Sequence, residues 1–98
     1  MNWQKHIEDL KNNNDIVIKP RGHSMSPKID NKNTVTISPD INDIKKGDIV
    51  FCKVKNNHYI HLVTAVNKDR YQISNNKGRI NGWVGKKCIF GKVIKIEK

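Results

Sequence analysis

No run in this chain approaches the ~20 consecutive apolar residues that span a bilayer. The charged opening, Met1-Asn2-Trp3-Gln4-Lys5-His6, also lacks the apolar stretch of a secretory leader. The expectation is a soluble, cytoplasmic chain with no membrane span. Cysteine is nearly as scarce. Cys52 and Cys88 each sit within an apolar run, far apart and in no metal-ligand spacing. They read as reduced core thiols, and a disulfide requires their strands to be neighbours. His6, His23 and His58 show no metal spacing with one another either, so no metal or cofactor is expected. Acidic residues are in short supply: 9 Asp and Glu face 19 Lys and Arg, for a net charge of +10. Among these cations only Arg21, Arg70 and Arg79 are arginines, and no Arg-rich helix or aromatic ladder accompanies them. The excess favours anionic partners, either nucleic acid or an acidic protein. A merely solvated basic surface is the competing reading.

What remains is enough for one domain. A chain of 98 residues buries roughly 60–68% of its unfolded surface, and a mean hydropathy of −0.71 implies a thin core. Trp3, Ile7 and Leu10 fall at i, i+4 and i+7 behind a candidate N-cap, Asn2, predicting a helix over 3–11 that Asn12-Asn13-Asn14 ends. Beyond it the pattern is β-branched, with strands predicted at 15–19, 33–38, 48–54, 59–66, 70–74 and 88–96. Lys46-Gly47-Asp48, Asn56-Asn57 and Asn67-Lys68-Asp69 read as turns, and 74–83 as a polar, glycine-punctuated loop. Trp83, at its end, reads equally as core or as pocket wall. No repeat or linker divides the chain, so residues 1–14 form a helix and turn leading into a single β domain over 15–98.

Chemistry concentrates in Gly22-His23-Ser24-Met25-Ser26-Pro27, a turn directly after the extended run Ile16-Val17-Ile18-Lys19-Pro20. Gly22 supplies backbone freedom and Pro27 fixes φ inside a following helical turn, so Ser24 can be held clear of the chain as a nucleophile. The proton acceptor is His61, in the strand-like run Tyr59-Ile60-His61-Leu62-Val63; Lys53 and Lys55 are fallback bases. Asp69 and Asp48 are the acids available to orient His61, Asp48 being better explained by its turn. A bland reading stands beside this one: Ser24 as a helix N-cap and His61 as a half-buried strand residue. The loop has the same two faces. Asn75, Asn76, Lys77, Gly78, Arg79 and Asn81 make either an ordered Asn/Gly turn or a cleft wall in which Lys77 and Arg79 grip an anion.

Taken in order, these pieces resemble a known superfamily. Gly22-x-Ser24-Met25-x-Pro27 resembles the nucleophile box of type I signal peptidases, and Lys46-Gly47-Asp48-Ile49-Val50 their Gly-Asp turn into the next strand. Tyr59-Ile60-His61-Leu62-Val63 is similar to the strand that carries the base, and Gly91-Lys92-Val93-Ile94 to the closing strand. The same domain forms the C-terminal part of LexA-type repressors and UmuD-like proteins. Most bacterial members carry lysine on the base strand; archaeal and endoplasmic-reticulum signal peptidases carry histidine, as here. The resemblance implies a mainly β, signal-peptidase/LexA-like domain after one short helix. It also implies a serine peptidase acting through Ser24 and His61, with Met25, Ser26, Asn75 and Asn76 near the oxyanion and cleft. Residues 1–23 contain no Ala-Gly or Cys-Gly bond of the kind LexA-type self-cleavage uses, so cleavage of a peptide or protein in trans is expected. The alternative is a non-catalytic module on this scaffold that binds nucleic acid or an acidic protein through its basic surface. Its size suits a phage or mobile-element protein.

Overall fold

The computed structural model describes residues 3–19 and 33–97. A helix, α1 (Trp3–Lys11), precedes strands β1 (Ile16–Ile18), β2 (Thr34–Ser38), β3 (Ile49–Val54), β4 (Asn57–Asn67), β5 (Arg70–Ser74), β6 (Ile80–Gly85) and β7 (Ile89–Glu97), with one 3-10 turn at Lys86–Cys88. All seven strands join a single sheet in the order β1-β2-β7-β3-β4-β5-β6. Every pairing is antiparallel. The fold is mainly β with one short N-terminal helix, as the sequence implied.

Two local expectations need correction. The segment expected to be a loop over 74–83 contains β6, because Gly82 and Trp83 pair with Ile73 and Gln72 of β5. The β3–β4 reversal falls one residue earlier than Asn56-Asn57. Lys55 and Asn56 both take positive φ (50° and 69°), while Asn57 already pairs with Val54. Two consecutive left-handed residues make the primed turn that matches strand twist.

Alternation along β3 divides the core. Ile49 and Phe51 enter one cluster with Ile7, Leu10, Val35 and Ile37. Val50, Cys52 and Val54 enter another with Val63, Tyr71, Ile73 and Val84. The apolar stripe of α1 caps the first cluster, and the Trp3 ring lies 4.9 Å from Phe51 and 5.7 Å from His58. Gly91 lets β7 approach β2: a Cβ there would lie 2.5 Å from Ile37 Cγ2 and 2.8 Å from the Ser38 carbonyl oxygen. Around the second cluster the sheet curls until Gly82 of β6 faces Val54, where a Cβ would meet Val54 Cγ1 at 3.3 Å.

Strands β3 and β7 are neighbours, with Cys52 opposite Ile89, so the condition for a disulfide is met in topology. Both thiols are nonetheless free. Burial, reinforced by the nearby Cys88 thiol, pushes Cys52 up to about 12.

Candidate active site

Alternation on β4 sends Ile60 toward the first cluster and Val63 into the second. His61, opposite Val50 of β3, is carried inward with Val63 and is 5% exposed. A buried imidazole needs hydrogen-bond partners. One is Asn81, whose Oδ1 lies 2.7 Å from His61 Nδ1. An amide oxygen only accepts, so Nδ1 carries the proton and donates it, leaving the ring's lone pair on Nε2. The Tyr59 ring stacks on the imidazole with centroids 4.6 Å apart and planes 25° from parallel. Burial holds the His61 pKa below the ordinary imidazole value, opposed by the weaker effect of the Asn81 bond. The ring is therefore neutral at pH 7, the charge state and tautomer that a general base requires.

A bulge aims Asn81. The β5–β6 register steps from Ile73–Gly82 to Ser74–Ile80, leaving Asn81 outside the ladder, and an unpaired bulge residue is free to re-aim its side chain. The preceding loop is held by Asn75. Its Oδ1 accepts from the backbone N–H of Lys77 and of Arg79, both at 2.9 Å, and its own N–H donates to the Arg79 carbonyl at 2.9 Å. The Asn75 side-chain amide oxygen thus orders the turn that delivers Asn81. Asn76 is half-buried beside it, while Lys77 and Arg79 are exposed.

Neither acid considered for orienting His61 reaches it. Asp48 Oδ2 accepts from the Lys45 N–H at 2.9 Å and faces Lys92 Nζ at 3.6 Å, serving its turn. Asp69 is exposed at the β4–β5 reversal, about 20 Å along the strand from His61. The orienting residue was hidden in the sequence because Asn81 lies in an Asn- and Gly-rich stretch whose composition spells a turn. Trp83 is not core. It is 42% exposed and lines a shallow recess with Asn67 and Arg70. Ser24, Met25 and Ser26, with the whole Gly22–Pro27 run, lie outside the described residues.

His61 stands on β4, the second strand after the Gly47-Asp48 turn, within a chain that matches a known family. The model of the peptidase S24-like proteins matches residues 1–94. The chain belongs to the peptidase S24-like family. For an S24-like chain, the match supports a peptidase-like fold and a protein substrate, and it spans Ser24, β4 and β6 alike. No curated protein matches this S24-like chain. Among its described residues no helix is long and apolar enough to cross a membrane.

Proposed function

We propose that the protein is a small serine peptidase that hydrolyses peptide bonds in trans, with Ser24 as nucleophile, His61 as general base and Asn81 as the residue that positions the base. The Asn81–His61 hydrogen bond carries this reading. A strand histidine with no chemistry to perform is more simply left with its tip in water, whereas this one is buried, neutral and fixed with its lone pair on Nε2. Ser24 Oγ attacks the scissile carbonyl carbon as its proton passes to His61 Nε2. The C–N bond then breaks as that proton goes to the leaving amine, and water hydrolyses the acyl-enzyme by the same base. Backbone N–H groups around Ser24, Met25 and Ser26 bind the oxyanion. Asn75 and Asn76 wall the cleft, and Lys77 and Arg79 meet acidic groups of the substrate.

A fluorophosphonate probe tests the dyad. The wild-type protein is expected to be labelled at Ser24, Ser24→Ala not at all, and His61→Ala not at all while keeping its circular dichroism spectrum. Labelling that survives His61→Ala, or a folded wild-type protein that never labels, would overturn the proposal.

A further inference from the structure

Between α1 and the start of β7 lies a recess of about 340 Å³ that the peptidase chemistry does not use. Segments far apart in sequence converge there. Leu10, Ile41 and Phe90 contribute to an apolar wall, and Lys11, Lys86 and Lys87 stand at the rim. Among the described residues no acidic side chain lines it. The ion pairs among the described residues, Lys45–Asp43, Lys92–Asp48 and Lys95–Glu97, leave all three rim lysines unengaged. In a chain of net charge +10, three such ammonium groups around an oily hollow concentrate positive potential where apolar surface is also left uncovered. A ligand that relieves both must be anionic outside and apolar at its centre.

We propose that this recess docks an acidic segment of a partner protein, with a bulky aliphatic or aromatic anchor side chain in the hollow and flanking carboxylates on the lysines. Nucleic acid fits less well. Its phosphates would satisfy the cations, but the wall is mostly aliphatic and concave, offering no row of flat rings on which bases stack. Lysine ammonium groups are point charges that serve carboxylates without the planar fork of arginine. The inference does not depend on the chemistry of Ser24, since peptide docking is read without any acyl transfer.

Fluorescence anisotropy with a short labelled peptide of alternating glutamate and leucine tests it, beside polyglutamate and oligo-deoxythymidylate of equal length. The glutamate–leucine peptide is expected to bind about tenfold more tightly than polyglutamate, because the anchor removes apolar surface from water. Its affinity falls as salt rises. The double variant Lys86→Glu, Lys87→Glu abolishes binding, and Ile41→Glu, which puts a like charge beside the anchor, weakens it by about tenfold. Lys68→Glu, on a distant turn, leaves it unchanged. Equal binding of all three probes would show a non-specific polyanion surface and overturn the proposal. So would tight binding unaffected by the double reversal, preferential binding of the oligonucleotide, or no binding of the glutamate–leucine peptide to folded protein.

Discussion

Asn81 and His61 illustrate how little of a site is written in single residues. The histidine could be singled out as the proposed base because the run around it is strand-like and resembles a base strand. Its orienter could not, since an asparagine in a Gly-rich stretch fits a turn equally well, and only a bulge 20 positions downstream turns it toward the ring. Removing it has a measurable consequence. Asn81→Ala should lower kcat/KM by roughly tenfold, the worth of about one neutral hydrogen bond, without the total loss expected of His61→Ala. Acidity provides a second check. Only neutral His61 accepts a proton, and burial lowers its pKa, so the acid limb of the pH–rate profile should lie below the ordinary imidazole value of about 6.5. The same shift bears on stability. Between the lowered native pKa and the unfolded one, the unfolded chain binds more protons, so stability falls as pH drops through that window. His61→Gln should flatten this part of a urea-midpoint-versus-pH curve. Cys52 offers a control on the core: with its thiol at about 12 and its side chain buried, it should resist iodoacetamide at pH 8 while half-buried Cys88 reacts, and denaturant should expose both.

Elements with a strong apolar period were legible, and those without one were not. The helix falls on Trp3–Lys11 as its i, i+4, i+7 spacing predicted, and β2, β3 and β5 lie within a residue of expectation at each end. β6 escaped because only Val84 along it is buried, so no alternation of hydrophobicity announces it. Strand order escaped for another reason: periodicity gives the face of a strand but not its partner, and nothing local says that β7 lies between β2 and β3. That insertion depends on close approach at Gly91. Gly91→Ala should therefore cost about 1–3 kcal/mol through overpacking against Ile37 and the Ser38 backbone, seen as a lower urea midpoint with an unchanged slope.

Over the whole molecule, charge and core work against each other. A net charge of +10 on a domain with a radius of gyration of 12.2 Å is self-repelling. Screening should relieve it, so Tm should rise as NaCl goes from roughly 0.02 M to 0.3 M, where the Debye length falls to a few ångströms. A fall would mean that specific ion pairs outweigh the repulsion. Against it stands β3, a strand of six residues of which five are buried, with side chains in both clusters. It acts as a shared wall between two rooms: neither half can melt without stripping the other. Amide protons of Val50 to Cys52 should consequently exchange only when the entire chain opens, and the loss of one half's order should never be observed while the other persists.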